Sequence, residues 1–152
     1  ELSRGQTRER QGIRVTTTVL TTNRIVLNGT ARTREEAIAE SARLLVAAGA
    51  VTPEYEAAMR ERESLVSTFM GNGLAIPHGT NEAILASAMT VVRYDEPIDW
   101  DGNPVRVVAA IAGKDGGHMA VLSSLALVFS DDSAVEQLLA AESPQEVLDL
   151  LG

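Results

Sequence analysis

The sequence predicts a single α/β domain in which a mixed β-sheet is flanked by helices on both faces. Segments with helical spacing and recognisable capping residues occupy both ends of the chain, and segments rich in β-forming residues lie between them. No internal repeat or interior linker divides the chain, and its 152 residues are enough for one sizeable core. These observations together favour a layered helix–sheet–helix arrangement.

The N-terminal residues fall outside this predicted domain. Residues 1–14 are polar and aperiodic, which indicates a disordered arm or a cloning remnant. The folded domain is therefore expected over residues 15–152, and it opens with a stretch at 15–28 that is rich in Val, Thr, Ile and Leu. That composition predicts a short strand or an extended lead-in.

The helices are predicted from their capping residues. Thr33 and Glu36 form a capping box that opens a helix ending near Gly49. Thr52 followed by Pro53 predicts the start of a second helix that runs to about Ser64. In the C-terminal third, helices are expected from near His118, over 133–141, and from Ser143 and Pro144 to the end of the chain.

The middle of the chain is predicted to form strands and turns. The segment 65–80 predicts two short extended pieces around a turn at 71–73, followed by a tight loop at 77–79. Thr80 is expected to cap a short helix that ends near Leu85. Two longer strands, at 88–94 and 105–112, are joined by a turn at 101–104, and a glycine-rich loop follows at 114–117.

Composition excludes several functional classes. The absence of cysteine excludes disulfides, thiolate metal sites and cysteine nucleophiles. A net charge of −8 would repel a phosphate backbone, and an aromatic content of 3% leaves little for base stacking, so nucleic-acid binding is not expected. No apolar run approaches the roughly 20 residues of a membrane span, and no apolar stretch follows the N-terminal basic residues. We therefore expect a cytoplasmic protein without direct membrane insertion.

His78 has the local setting of a chemically active side chain. Pro77 before it restricts the backbone, and Gly79 after it lets another group approach closely. The helix expected downstream would add free amides and a positive dipole end. A rigid turn of this kind suits a histidine that holds a phosphoryl anion.

His118 is the second candidate site residue. The two histidines could form a catalytic pair, and two other interpretations of them remain open. A neutral imidazole can act as a nucleophile and a protonated one can stabilise negative charge, so the two histidines could divide these roles if they met. Either histidine could instead be an ordinary loop or capping residue. The two histidines with Glu82 or Asp115 could also ligate zinc, although no HxxxH or HExxH spacing is present.

The segment ESLVSTFMGNGLAIPHG at 63–79 resembles the active-site signature of the mannitol/fructose-type enzyme IIA proteins of the bacterial phosphoenolpyruvate-dependent sugar phosphotransferase system. The resemblance extends over about residues 23–151 and includes Arg62 with Glu63 before the signature. Residues 78–83 and 97–103 are most similar to the mannitol branch. The residues that match the signature are Glu63, Met70, Gly71, Leu74, Ala75, Ile76, Pro77, His78 and Gly79.

The resemblance implies a phosphoryl carrier without a metal or organic cofactor. The carrier protein HPr would donate a phosphoryl group to His78, which would pass it to a cysteine on the IIB domain of a sugar permease. His118 would assist the transfer, and Arg62 would contact phosphoryl oxygens. The resemblance also leaves open a regulatory, nitrogen-related relative whose phosphorylation state controls a partner. It implies either a stand-alone IIA protein or a domain excised from a longer one.

Overall fold

The computed structural model describes residues 19–79 and 82–151, so the predicted N-terminal arm at 1–14 lies outside the described residues. A 3₁₀ turn at Thr22–Arg24 precedes the first strand. The strands are β1 (Ile25–Val26), β2 (Phe69–Gly71), β3 (Leu74–Ala75), β4 (Ala88–Trp100) and β5 (Asn103–Ala112). The helices are α1 (Arg34–Ala47), α2 (Tyr55–Leu65), α3 (Met119–Phe129), α4 (Asp132–Ala140) and α5 (Pro144–Leu151).

The five described strands form one mixed sheet in the order β1-β4-β5-β3-β2. β1 is parallel to β4 and β3 is parallel to β5, whereas β4 and β5 form a long antiparallel hairpin. The turn of that hairpin has positive φ at both Asp101 and Gly102, which is the backbone of a type I′ turn. Asn72 and Gly73 make the same kind of turn between β2 and β3, as the glycine pattern predicted.

The sheet is covered by helices on both faces. Alternate residues of β5 point to opposite sides. Val108, Ala110 and Ala112 pack in a core with α1 and α2, and Val107, Ala109 and Ile111 pack in a second core with α3, α4 and α5. The predicted fold class is therefore confirmed. No described helix has both the length and the apolar character needed to cross a membrane.

The capping residues predict the starts of α1 and α5 correctly and place the start of α2 two residues too early. Thr33 accepts a hydrogen bond from Glu36 N at 3.1 Å, and Ser143 accepts from Glu146 N at 3.2 Å. The second helix begins at Tyr55, not directly after Thr52, because Tyr55 N donates to the Thr52 carbonyl in a turn that delays the helix.

The short helix predicted from Thr80 to Leu85 is not found in its described part. Thr80 lies outside the described residues, and residues 82–85 form a turn that includes one bridge residue, Ile84. The backbone here bonds to a distant segment: Leu85 N donates to Ala50 O at 2.7 Å. These contacts use the backbone groups that a helix would need, so no helix dipole from residues 82–85 faces His78.

A buried carboxylate connects α2 to the start of β2. Glu63 is 4% exposed, and it accepts hydrogen bonds from Thr68 N at 2.7 Å, from Thr68 Oγ1 at 2.6 Å and from Trp100 Nε1 at 2.9 Å. Three donors offset much of the cost of burying a charge. Thr68 O in turn accepts from Ile76 N at 3.1 Å. Glu63 thus supports the backbone that leads to His78.

Replacing Glu63 by Gln should destabilise the fold by about 1–3 kcal/mol, because the amide NH₂ would face a donor where an oxygen now accepts. Urea unfolding of Glu63→Gln measures this loss. Glu61→Gln, on the exposed side of the same helix, is the matched control and should unfold like the wild type. Equal stability of the two variants would contradict the role assigned to Glu63.

Candidate active site

His78 is carried by a loop that continues from β3 and is attached to β5. Ile111 N donates a hydrogen bond to Pro77 O at 3.0 Å, and His78 forms a parallel bridge with Ile111. The loop therefore extends the sheet by one rung beyond the end of β3. Since sheet pairing restrains the backbone on both sides of Pro77, the histidine is held in one place.

The phenol of Tyr55 holds this loop against β5 through two hydrogen bonds. Its oxygen accepts a hydrogen bond from Gly79 N at 2.9 Å and donates one to Ile111 O at 2.7 Å. Burial raises the pKa of the Tyr55 phenol, with the Gly79 hydrogen bond acting in the opposite direction, so the phenol keeps the proton that it donates. A Cβ at Gly79 would come within 3.0 Å of Ala58 Cβ, which explains why glycine follows the histidine.

The imidazole of His78 has a defined tautomer. Its Nδ1 lies 2.9 Å from the carbonyl oxygen of Ile76. A carbonyl oxygen can only accept, so Nδ1 carries the proton and donates it in this bond. In the neutral ring the lone pair then resides on Nε2. The loop therefore presents a histidine whose Nε2 is the nitrogen with the free lone pair.

His118 is the N-cap residue of α3, but its side chain does not cap the helix. The ring instead lies against Gly113, where an added Cβ would come within 2.3–2.6 Å of three ring atoms. Its Nδ1 is buried and has no hydrogen-bond partner among the described residues. One hydrogen-bonding position of this imidazole is therefore unused by the surrounding protein.

The two histidines line one cavity of about 240 Å³. Ile76, Ile84, Ile111 and Leu122 supply its apolar wall, and Tyr55, Gly79 and Gly113 complete the lining. A larger groove of about 820 Å³ lies between residues 28–32 and 94–98, but neither histidine reaches it. The smaller cavity is the candidate active site because two imidazoles meet there, and one of them is held by the sheet and by Tyr55.

The structure does not bring Arg62 into this cavity. The guanidinium donates to the carbonyl oxygen of Val66 at 2.6 Å, and Arg62 is not among the residues that line the cavity. Its contact with phosphoryl oxygens stays a prediction. Among residues 19–79 and 82–151, no group of three or more His, Asp or Glu side chains is arranged to hold a metal ion.

Tyr55 and Gly113 are site residues that the sequence analysis did not identify. Tyr55 fell within the predicted second helix, and Gly113 fell between the predicted strand at 105–112 and the glycine-rich loop at 114–117. The one available signal was that a buried tyrosine requires a partner for its hydroxyl. That rule does not say which backbone groups the hydroxyl contacts, since Gly79 and Ile111 are distant from Tyr55 in sequence.

Comparison with known proteins identifies close relatives over most of the chain. The family described as "Phosphoenolpyruvate-dependent sugar phosphotransferase system, EIIA 2" matches residues 18–152. A protein of Halalkalibacterium halodurans named "Mannitol-specific phosphotransferase enzyme IIA component" is 50% identical over 138 residues, which cover 89% of this chain and 95% of the relative.

Two solved structures from Escherichia coli show the same fold. The crystal structure of IIA mannitol is 37% identical with a TM-score of 0.77, covering 88% of this chain and 99% of that one. The complex of enzyme IIA mannitol with phosphorylated enzyme IIB mannitol matches at 37% identity with a TM-score of 0.76, covering 87% of this chain and 95% of that one.

Replacing Tyr55 by Phe should release the His78 loop, because Gly79 N–H and Ile111 O would each lose a partner. We expect a stability loss of about 1–3 kcal/mol and faster hydrogen exchange at the Gly79 amide. Tyr94→Phe is the matched control, since it removes one buried phenol bond, to Glu40, at 2.7 Å. If the Gly79 amide exchanges hydrogen at the same rate in the wild type and in Tyr55→Phe, Tyr55 does not hold the His78 loop.

Proposed function

This chain belongs to the EIIA 2 family of the phosphoenolpyruvate-dependent sugar phosphotransferase system, and we propose that His78 is its phosphoryl acceptor. The chain is a phosphoryl carrier, as its relatives named mannitol-specific phosphotransferase enzyme IIA are. The observation that supports His78 as the acceptor is the hydrogen bond from its Nδ1 to Ile76 O, 2.9 Å long. That bond leaves Nε2 with the lone pair that a phosphoryl group requires.

The proposed transfer is a direct displacement between two nitrogens. Nε2 of His78 attacks the phosphorus of phosphohistidine on HPr. As the new N–P bond forms, the old N–P bond breaks and its electron pair stays on the nitrogen of HPr. The Ile76 carbonyl stabilises the positive charge that develops on the His78 ring, because it accepts the hydrogen bond from Nδ1–H throughout. The protein contributes positioning and charge stabilisation.

His118 is the proposed assisting residue. It lines the same cavity as His78, and its ring makes no capping hydrogen bond with α3. A phosphoryl oxygen is an acceptor that an imidazole N–H can bind, so His118 would stabilise the group on arrival and departure. Arg62 would join it only after giving up its hydrogen bond to Val66 O, which is exposed to solvent.

The partners of this chain are HPr, which donates the phosphoryl group, and a IIB domain, which accepts it. The solved Escherichia coli complex joins a IIA relative to phosphorylated IIB of the mannitol system. Because the 50% identical relative is named mannitol-specific, we propose mannitol as the sugar that this carrier serves. The regulatory alternative is not favoured by these relatives. We place the carrier in the cytoplasm, where a IIA protein would meet HPr.

Removal of His78 tests the proposal directly. After incubation with phosphoenolpyruvate, enzyme I and HPr, the intact mass of the wild type should rise by one acid-labile phosphoryl group, and His78→Ala should gain none. His118→Ala is the matched control, because it removes the only other histidine of the chain and should still become phosphorylated. A phosphorylated His78→Ala protein would refute the assignment of the acceptor.

A further inference from the structure

The side chain of Ser87 closes a hydrogen-bonded ring on one residue of the loop that leads to His118. Ser87 Oγ donates to Lys114 O at 2.8 Å and accepts from Lys114 N at 2.8 Å. Ser87 immediately precedes β4, and Lys114 lies just beyond the end of β5. Because Ala88 pairs with Ala112, the hydroxyl continues the pairing of the two strands past their last backbone rung.

The two hydrogen bonds between Ser87 and Lys114 hold a tight turn in place. Gly117 N donates to Lys114 O at 3.0 Å, and Asp115 and Gly116 both have positive φ, at 56° and 75°, as in a type I′ turn. Gly117 packs directly on the serine: an added Cβ would lie 2.9 Å from Ser87 Oγ and 3.2 Å from Ser87 Cβ. Ser87 therefore contacts both ends of the turn, Lys114 through hydrogen bonds and Gly117 through packing.

The position of the His118 imidazole depends on this turn. The ring makes no capping hydrogen bond, and its Nδ1 has no partner among the described residues. Its backbone is joined to Gly117 on one side and to α3 on the other, where Leu122 N donates to His118 O at 3.0 Å, and its ring lies against Gly113. Lys114, bonded twice to Ser87, adjoins Gly113 and begins the turn that ends at Gly117.

We propose that Ser87 is a positioning residue for His118, acting through the Lys114 backbone and the 114–117 turn. Ser87 is not among the residues that line the cavity of the two histidines. Its effect on phosphoryl transfer would therefore pass through the placement of the His118 ring. The inference rests on the proposed function of His118 as the assisting residue.

A double-mutant cycle separates this role from a general loss of structure. The rate of transfer from phospho-HPr is measured in a single turnover for the wild type, Ser87→Ala, His118→Ala and the double variant. We expect Ser87→Ala to slow transfer by roughly tenfold, because a misplaced group loses its contribution to the transition state. In the His118→Ala background the same change should have no further effect, since there is no ring left to position.

A spectroscopic measurement tests the placement without relying on activity. In ¹⁵N-labelled protein, the ring resonances of His118 should shift in Ser87→Ala, whereas those of His78 should stay unchanged. Ser130→Ala is the matched control, because it removes a hydroxyl that donates to a backbone carbonyl, Leu127 O, at the opposite end of α3. It should leave both rings and the transfer rate unchanged.

Gly117→Ala is a second variant that tests the same contact if Ser87→Ala folds poorly. It keeps the hydroxyl but inserts a methyl group against it, so it should also shift the His118 ring resonances.

Unchanged His118 resonances in both variants would overturn the proposal, and so would an equal slowing by Ser87→Ala in the presence and absence of His118. If His118→Ala itself transfers at the wild-type rate, the assisting role of His118 fails. The ring resonances then still decide whether Ser87 positions it.

Discussion

The hydrogen bond from His78 Nδ1 to the carbonyl oxygen of Ile76 is the interaction on which the candidate site depends. A histidine has two nitrogens that could accept a phosphoryl group, and this bond selects one by assigning the proton to the other. The oxygen that accepts this hydrogen bond belongs to the backbone only two residues before His78. The choice of nitrogen therefore depends on the conformation of the loop. Hydrogen bonds with Tyr55, Thr68 and Ile111 hold the backbone of that loop.

Three supports converge on this loop from different parts of the chain. Glu63 accepts a hydrogen bond from Thr68 N, and the carbonyl oxygen of Thr68 accepts one from Ile76 N. Tyr55 holds the peptide N–H of Gly79, on the far side of the histidine. β5 pairs with Pro77 between them. Because α2 supplies both Glu63 and Tyr55, the helical layer on one face of the sheet is bonded directly to the His78 loop. His118 comes from the start of α3, on the other face.

Local signals in the sequence predicted the fold well, because they correspond to local physics. The capping boxes at Thr33 and Ser143 and the glycine turns at 71–73 and 101–104 specify backbone geometry within a few residues. The late start of α2 has a local cause, the turn from Thr52 to Tyr55, whereas the absence of a helix in the described residues 82–85 has a distant one. Residues 83–86 bond to the segment around Ala50 instead of forming a helix. The residues flanking His78 were enough to predict it as a candidate site residue, whereas the contacts of Tyr55, Ser87 and Gly113 exist only in the folded chain.

The most direct test of this account is to determine which nitrogen carries the phosphoryl group. The protein is labelled with ¹⁵N-histidine, phosphorylated through enzyme I and HPr, and examined by NMR for the ring nitrogen bonded to phosphorus. We predict Nε2 of His78, with Nδ1 still protonated and bound to the Ile76 carbonyl. Phosphorus on Nδ1 of His78, or on either nitrogen of His118, would contradict the account.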